Sequence, residues 1–373
     1  MISESEVLDV REPPGKAMGK VAELWKPVEG TKKIMCTACA RYCKIGEGQV
    51  GLCGIRGVHE GKLWLYVYGR VITGHVDPIE KKPVSHYRPG SKIFSIATTG
   101  CNWLCRYCQN ADISQRRKVE GIEVEPQDVV RMTLEQGCQG LAYTYNQPTI
   151  FIEFARDIGM LARKAGLINI FVSNGYDTPE TVAEMPKFLD CVTVDFKGSG
   201  ETNFVRKYIN IPNADPIFQT LLDTRDTKKI HIEITDLIVP QVGDNLDAAR
   251  HLSKWVYDNL GPDTPIHFLR FHPDYKMMEF PWTPVETLEK HCAVAKEEGL
   301  RYVYIGNVPG HPLENTYCPG CGAIAVKRNS FDITGWYLDK DNRCKKCGYK
   351  LAIVGRLEHT SKENRFYSVL YHR

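Results

Sequence analysis

The sequence lacks the features that would place the protein at a membrane or outside the cell. No apolar run approaches the roughly 18 residues of a membrane-spanning helix. Residues 1–7 are acidic and lack the basic and apolar regions of a signal peptide. A surplus of charge of one sign is also missing, since 48 Lys and Arg against 45 Asp and Glu leave a net charge of +3. We therefore expect a soluble, cytoplasmic protein with no membrane partner and no nucleic-acid partner.

Cysteine, by contrast, is abundant and clustered. Eleven of the 14 cysteines fall into three groups, while Cys138, Cys191 and Cys292 stand alone beside apolar residues. The groups are Cys36, Cys39, Cys43 and Cys53; Cys101, Cys105 and Cys108; and Cys318, Cys321, Cys344 and Cys347. In a reducing compartment, groups with this spacing indicate metal thiolates rather than disulfides.

Between about residues 91 and 310, short apolar segments alternate with helical patterns. The apolar segments predict strands at 92–98, 140–145, 168–173, 191–196, 229–234, 265–271 and 301–305. Helices are predicted at 126–136, 149–165, 179–189, 244–260 and 284–298. Repeated strand–helix pairs require a parallel sheet, and they favour a partial α/β barrel over a two-winged sheet. We expect a cysteine-rich N-terminal module at 1–90, the barrel at 91–310 and a C-terminal module at 311–373.

The three-cysteine group follows the first predicted barrel strand, where α/β sheets place their ligands. Cys101, Cys105 and Cys108 do not complete the four-ligand set of structural zinc or of an ordinary ferredoxin cluster. A [4Fe–4S] cluster held by three cysteines leaves one iron open to an external chelate. The alternative is a zinc site that borrows a distant histidine or cysteine. The spacing, the strand-end position and the aromatic Tyr107 before the last cysteine favour the cluster.

This loop resembles the signature of radical S-adenosylmethionine (SAM) enzymes. More narrowly, residues 30–350 resemble the activases of glycyl-radical enzymes, such as pyruvate formate-lyase activating enzyme, and most closely the radical SAM enzymes of the AmmeMemoRadiSam system. The resemblance implies a partial (βα)6 TIM-like barrel, a [4Fe–4S] cluster on Cys101, Cys105 and Cys108, and SAM bound at the open iron. It also implies an oxidoreductase that cleaves SAM reductively to a 5′-deoxyadenosyl radical, which abstracts hydrogen from a substrate.

The resemblance further implies contacts to SAM at the strand ends. Members of the superfamily usually bind the SAM amino group with a Gly-Gly-Glu-like motif, for which Asn146 and Gln147 stand here as uncharged substitutes. The other implied contacts are Tyr107 beside adenine, Ser173 and Asn174 at the ribose or carboxylate, Asp195 and Lys197 at the methionyl carboxylate, Val239 in an apolar segment at adenine, and His272 near SAM. An alternative for Lys197 is to balance Asp195 alone, and a His-Pro turn such as that at His272 is more often structural.

The two outer cysteine groups predict separate metal sites. The N-terminal four cysteines indicate either structural zinc, which is slightly favoured, or a second iron–sulfur cluster, although their spacing is not that of a ferredoxin. The C-terminal group consists of two Cys-x2-Cys pairs, each followed by glycine, and resembles zinc ribbons and rubredoxins. Its four sulfurs predict tetrahedral zinc or a single iron.

Two functions of different classes follow from these patterns. The first is a radical SAM oxidoreductase that takes electrons from an external one-electron donor, such as ferredoxin or flavodoxin. Its substrate would be either a protein, such as a glycyl-radical enzyme, or a small metabolite. The second is a non-catalytic zinc-ribbon binding or scaffold protein, which holds metal at the outer sites and does not cleave SAM. Iron and sulfide content separates the two.

Overall fold

The computed structural model describes residues 19–358 and 364–371. The acidic segment at residues 1–7, on which the prediction about a signal peptide rests, lies outside the described residues. Among the described helices, none combines the length and the apolarity needed to cross a membrane.

Seven parallel strands form the centre of the molecule, and they pair in the order in which they occur in the chain. The strands are Lys92–Ala97, Gly140–Tyr143, Ile168–Ser173, Cys191–Lys197, His231–Ile238, Ile266–Arg270 and Val303–Gly306. The helices that connect them are Pro126–Glu135, Ile152–Lys164, Pro179–Glu184, Asp215–Asp226, Leu246–Leu260 and Val285–Glu297. Six strand–helix units followed by a seventh strand confirm the predicted α/β class with a mostly parallel sheet.

One connecting helix, Asp215–Asp226, is absent from the sequence prediction. Its buried face combines Ile217 and Leu221 with Thr220 and Thr224. Threonine weakens the apolar periodicity that identifies a helix in a sequence. The remaining short helical segments are Ala111–Ser114 and Thr202–Phe204, the 3-10 turns Ile79–Lys81, Pro148–Phe151, Met185–Lys187, Gly198–Gly200 and Pro312–Glu314, and the π-turn Val205–Ile209.

Two antiparallel strands extend the parallel sheet to nine strands. Thr73–Pro78 pairs with Lys92–Ala97, and Tyr367–Tyr371 pairs in turn with Thr73–Pro78. The predicted module boundaries near residues 90 and 311 therefore cut through this sheet. The sequence of Thr73–Pro78 contains Gly, His, Asp and Pro, which gives it no strand signal of its own.

The segment 79–91 packs against the face of the sheet that the helices leave open. Ile79 and Val84 of this segment form one apolar cluster with alternate residues of the strands, namely Ile93, Ala142, Ile168, Ile170 and Cys191. The backbone N–H groups of Ser85 and His86 donate to the Glu233 carboxylate over 3.0 and 2.7 Å. The interior of the partial barrel is thus filled at the amino ends of the strands and is open at their carboxyl ends.

The N-terminal region forms small antiparallel sheets that pack against the barrel helices. Its strands are Lys20–Val21, Trp25–Pro27, Ile34–Cys36, Lys44–Ile45, Arg56–His59, Lys62–Leu65 and Arg70–Val71, the last pairing with Ile122–Glu123. The Arg56 guanidinium is fully buried, donates from Nε to the Ile150 carbonyl over 2.7 Å and forms an ion pair with the buried Glu153 carboxylate. This pair joins the N-terminal region to the helix Ile152–Lys164.

The C-terminal region is a three-stranded antiparallel sheet that packs on the last barrel strand. Its strands are Thr316–Tyr317, Ile324–Asn329 and Asp332–Trp336. Its apolar cluster includes Tyr302 and Tyr304, so the barrel contributes directly to the core of this region.

Candidate active site

A cavity of about 820 Å³ opens at the carboxyl ends of the parallel strands. All seven strands, or the loops that leave them, contribute to its wall. The contributing side chains include those of Cys101, Thr144, Val172, Asp195, Leu237, Leu269 and Ile305. The position agrees with the general rule that parallel α/β sheets bind ligands at this end.

The three cysteines of the first loop all line this cavity. Burial raises the pKa of the Cys101 thiol to about 12 and the pKa values of the Cys105 and Cys108 thiols above their ordinary value. Such thiols stay protonated unless a metal cation takes the place of the proton. Among the described residues, these three sulfurs do not form a group whose ligand atoms all lie within 4.8 Å of one another.

The backbone of the cysteine loop is fixed by the π-turn Val205–Ile209. The N–H of Leu104 donates to the carbonyl of Ile209 over 3.1 Å, and the N–H of Arg106 donates to that of Tyr208 over 2.9 Å. Tyr107 is buried between them, with its ring stacked on Phe204 at a centroid distance of 5.9 Å. The cysteines are therefore held by packed structure and not by a free loop.

Asn146 lies on the cavity wall with an unused acceptor. Its Nδ2 donates to the carbonyls of Thr98 and Gly100 over 2.7 and 2.9 Å, which fixes the orientation of the amide. Its buried Oδ1 has no hydrogen-bond partner in the structure. A buried oxygen without a donor is costly, so this atom is ready to accept from a ligand.

Gln147 is almost fully buried, and its amide organises the neighbouring strand end. Its Nε2 lies 2.8 Å from the Ser173 hydroxyl and 2.9 Å from Asp177 Oδ1, while its Oε1 accepts from the backbone N–H of Asn174 over 2.7 Å. Burial raises the pKa of Asp177 to about 6. The structure thus places Gln147 where it positions Asn174, which also lines the cavity.

Asp195 and Lys197 both line the cavity and form an ion pair. Lys197 Nζ lies 3.1 Å from Asp195 Oδ2, and the Thr235 hydroxyl donates to the other carboxylate oxygen. The charge-balancing role considered for Lys197 is therefore present, and the same ammonium group borders the cavity.

Three candidate residues lie off the wall of this cavity in the described structure. Ser173 alternates with Val172 and Asn174, so its side chain points to the opposite face of the strand. Val239 is buried where the chain turns back, with its N–H donating to the Gly243 carbonyl. His272 lies beside the rim, with Nε2 2.8 Å from the amide nitrogen of Gln109.

A buried ion-pair cluster on the same wall was not foreseen from the sequence. Lys82 Nζ lies 2.7 Å from Asp77 Oδ2, and the Tyr145 hydroxyl donates to the same carboxylate oxygen over 2.6 Å. Burial lowers the pKa of Lys82 to about 8. The basic Lys81-Lys82-Pro83 sequence could have indicated this cluster. It was overlooked because the segment is predicted to belong to the N-terminal module and not to the barrel.

The C-terminal region also reaches the cavity. Glu314, Arg328 and Phe331 belong to its wall. The Arg328 guanidinium donates to the Thr316 hydroxyl over 2.6 Å and to the Ser85 carbonyl over 3.1 Å. The contribution of a distant hairpin to a strand-end cavity leaves no signature in local sequence.

The four C-terminal cysteines converge on one point. Their sulfurs all lie within 4.8 Å of one another, with 3.5 Å between Cys318 and Cys347 and 3.8 Å between Cys321 and Cys344. Tetrahedral coordination with metal–sulfur bonds of about 2.3 Å places sulfurs about 3.8 Å apart. The donor set therefore fits one tetrahedral metal ion.

Removal of the metal from this site is expected to unfold the C-terminal sheet. Its apolar cluster is small, and structural zinc contributes roughly 10 kcal/mol or more to comparable modules. Cys344→Ser should lower the bound metal by about one equivalent per chain and make residues 316–358 sensitive to limited proteolysis. Cys138→Ser, at a buried cysteine outside the three groups, is the matched control. Equal protease resistance of Cys344→Ser and the control would contradict the structural role of the metal.

The N-terminal cysteines line a second, smaller cavity. Cys36, Cys39 and Cys53 are buried, and Cys43 is partly exposed. The loop that carries them is joined to the barrel, since the hydroxyl groups of Thr178 and Thr181 donate to backbone carbonyls of this region over 2.6 and 2.9 Å.

Comparison with known proteins gives matches of two kinds. The family model described as "Radical SAM superfamily" matches residues 95–256, which contain the three-cysteine loop and the carboxyl ends of five of the seven parallel strands. The protein named "Uncharacterized protein MJ0808" of Methanocaldococcus jannaschii is 42% identical over 327 residues, which cover 86% of this chain and 96% of that protein.

Solved structures are similar at lower identity. A domain of pyruvate-formate lyase-activating enzyme from Bacteroides vulgatus matches with 16% identity and a TM-score of 0.39, over 45% of this chain and 99% of that chain. A radical SAM methyltransferase from Sphaerobacter thermophilus matches with 10% identity and a TM-score of 0.46, over 59% and 67% of the two chains. Residues 95–256 therefore form a radical SAM superfamily domain, and the chain over most of its length is related to the archaeal protein.

Proposed function

We propose that the protein is a radical SAM oxidoreductase of the activase-like type, within the AmmeMemoRadiSam branch. The observation that carries the proposal is one cavity that combines three cysteines with the unpaired amide oxygen of Asn146. When bound, the [4Fe–4S] cluster and SAM supply one-electron cleavage of the sulfonium and a carbon radical for hydrogen abstraction. The protein supplies binding, orientation and shielding.

The residues of the cavity fit these two groups. Cys101, Cys105 and Cys108 would hold the cluster and leave one position for SAM. Asn146 Oδ1 is a hydrogen-bond acceptor whose direction is fixed, because the amide nitrogen donates to two backbone carbonyls, and an ammonium group of SAM would be a suitable donor. Lys197, already held by Asp195, would bind the methionyl carboxylate.

The packing around the site favours exclusion of water. Ile79 and Val84 fill the barrel interior below the cavity, and Phe204 with Phe271 encloses Tyr107. Hydrogen abstraction requires close placement of the reacting atoms, at about 3–3.5 Å, and few competing groups. A packed aliphatic and aromatic layer beneath the cavity and around Tyr107 supports both requirements.

One feature supports a protein or peptide as the substrate, and a glycyl-radical enzyme is one such protein. The loop after Ile266–Arg270 exposes Tyr275, Met278 and Trp282, and Trp282 borders the cavity. Exposed apolar side chains beside a cavity mouth are typical of surfaces that bind other proteins.

The remaining assignments complete the proposal. We infer that an external one-electron donor such as ferredoxin or flavodoxin reduces the protein, that the protein acts in the cytoplasm, and that the C-terminal four-cysteine site holds zinc. The chain is divided functionally into an N-terminal cysteine-rich region, the barrel and the C-terminal ribbon, although the sheet is shared among them.

Anaerobic reconstitution tests the proposed function. With iron, sulfide, SAM and dithionite, the protein should form 5′-deoxyadenosine and methionine in equal amounts, measured by liquid chromatography. The product should be absent without reductant, which is the control for hydrolysis of SAM. A protein that takes up zinc but no iron or labile sulfide, and that forms no 5′-deoxyadenosine, would instead be the metal-binding scaffold considered above. Deuterium transfer from labelled candidate substrates into 5′-deoxyadenosine then identifies the substrate.

A further inference from the structure

The wall of the large cavity has a charged sector that the proposed contacts to the cluster and to SAM do not use. It is formed by segment 79–91 and by the hairpin of the C-terminal region, which bring Lys82 and Arg328 to the wall. Arg328 Nη2 donates to the Ser85 carbonyl over 3.1 Å, so the two elements that carry these cations are joined directly. We call Lys82 and Arg328 the cationic pair.

Arg328 is a buried cation whose hydrogen bonds all go to neutral oxygens. The residue is 5% exposed, and its guanidinium donates to the carbonyls of Glu314 and Ser85 and to the hydroxyl of Thr316. Within the described part of the chain it forms no ion pair, and its buried Nε has no hydrogen-bond partner. A buried charge without a counter-ion is costly, so an anionic group in the cavity would stabilise this guanidinium.

Lys82 shares its counter-ion with a second lysine. Lys82 Nζ lies 2.7 Å from Asp77 Oδ2, and Lys81 Nζ lies 2.8 Å from Asp77 Oδ1. One carboxylate therefore balances two ammonium groups. Asp77 Oδ2 occupies one of the three N–H donors of Lys82, whose side chain is buried and borders the cavity. Donors and positive charge thus remain for a ligand.

The two carboxylates on the same part of the wall have partners of their own. Glu80 Oε2 lies 3.9 Å from Arg365 Nη1, and burial raises the pKa of Glu80 above its ordinary value. The Glu314 carboxylate accepts from the backbone N–H groups of Gly310 and Ser330 over 2.8 and 3.1 Å. Neither carboxylate forms an ion pair with the cationic pair among the residues that the structure describes.

We propose that Lys82 and Arg328 bind a carboxylate group of the substrate. The carboxylate would accept from Arg328 Nε and from Lys82 Nζ, and it would supply the counter-ion that the cationic pair lacks. In a peptide, an acidic side chain and the C-terminus both offer this group. Asn146 and Lys197 remain free for SAM. The identification of the bound molecule as the substrate rests on the proposed function, whereas the carboxylate site itself does not.

Protection of Lys82 from acetylation tests the proposal. Protein reconstituted anaerobically and kept without reductant is treated briefly with acetic anhydride, with and without SAM, and acetylation of Lys82 is measured by mass spectrometry. Succinate is the carboxylate probe, dimethyl succinate is its uncharged control, and the exposed Lys254 is the internal reference. A bound carboxylate favours the ammonium form of Lys82, whose pKa burial lowers to about 8. Succinate should therefore slow acetylation at least about tenfold, which corresponds to one unit of pKa.

Substitution of the guanidinium gives the second measurement. In Arg328→Gln, protection should require at least about ten times more succinate, the usual loss for one charge-assisted hydrogen bond. Lys327→Gln, at the exposed neighbour on the same strand, is the matched control and should be protected like wild type. If Arg328→Gln misfolds, the comparison of succinate with its ester in wild-type protein still decides.

Peptide probes distinguish the two sources of the carboxylate. One N-acetylated tripeptide carries a glutamate side chain and an amidated C-terminus, and the other has no acidic side chain and a free C-terminal carboxylate. Slower acetylation of Lys82 with the first supports recognition of an acidic side chain, and slower acetylation with the second supports recognition of a C-terminus.

The outcomes separate the inference from the proposed function. Equal acetylation with and without succinate, or equal protection by succinate and its ester, would overturn the carboxylate site even if wild-type protein cleaves SAM. Full protection by SAM alone would assign the cationic pair to the cofactor and would also overturn the proposal. Protection by succinate in a protein that never forms 5′-deoxyadenosine would support the carboxylate site and refute the proposed function.

Discussion

Cys105→Ala is expected to lower the formation of 5′-deoxyadenosine from SAM below detection. Cys105 is the central residue of the three-cysteine loop, and three ligands are the fewest that leave a single open iron. In the proposed cluster, loss of one thiolate would expose a second iron and remove the single open position at which SAM would bind. Liquid chromatography of the reaction after anaerobic reconstitution gives the measurement.

The control for this result is Cys138→Ala, which removes a buried sulfur outside the three cysteine groups. It should retain cleavage, because Cys138 does not line the cavity. Cleavage by Cys105→Ala at the rate of this control would contradict the assignment of the loop as the cluster site. A loss of product accompanied by unchanged far-ultraviolet circular dichroism excludes simple unfolding as the cause.

Glu153→Leu is expected to lower the free energy of unfolding by about 3–5 kcal/mol, the usual cost of leaving a buried charge without its partner. Arg56 and Glu153 are each about 1% exposed, so water does not replace the lost carboxylate. The midpoint of urea unfolding of the metal-loaded protein gives the measurement. The double variant Arg56→Met/Glu153→Leu, which removes both charges, should recover much of the loss.

The same ion pair gives a prediction for pH. Burial raises the pKa of Glu153, but the charge and hydrogen bonds of Arg56 outweigh burial and hold the pKa below its ordinary value of 4.5. The stabilisation is therefore complete above about pH 4.5 and is lost as the pH falls through the lower pKa of the folded state. Wild-type protein should lose stability in this acidic range, whereas the double variant should show a smaller dependence on pH. Identical pH profiles for the two proteins would contradict this role of the pair.

The parallel strands of the barrel were predictable because both of their faces are buried. Ile168–Ser173 and Cys191–Lys197 were recognised almost to the residue, since burial on two sides leaves an uninterrupted apolar run in the sequence. Thr73–Pro78 was not recognised, because its place in the sheet depends on Lys92–Ala97 and Tyr367–Tyr371 and on no local pattern.

The candidate site was predictable as a set of strand ends but not as a set of side-chain directions. Asn146 and Gln147 were chosen together, yet Asn146 keeps a free acceptor on the cavity wall while the amide of Gln147 is used within the protein. The strand ends at Tyr143 and Tyr145 adopts φ +68°, so the chain bends before these two residues and the alternation of an extended strand does not assign their directions. Lys82 was missed because segment 79–91 enters the barrel from outside the strand–helix repeat.

The pairing of Tyr367–Tyr371 with Thr73–Pro78 has a consequence for biosynthesis. On the ribosome, Thr73–Pro78 emerges long before its partner, from which it is separated by nearly 300 residues. Until translation reaches the partner, one edge of the nascent sheet offers free backbone donors and acceptors to other chains. Pairing over such a distance is slow, and the exposed edge invites aggregation. Expression yield should therefore depend on chaperones that protect the nascent chain during synthesis, and a truncation before residue 364 should accumulate in inclusion bodies.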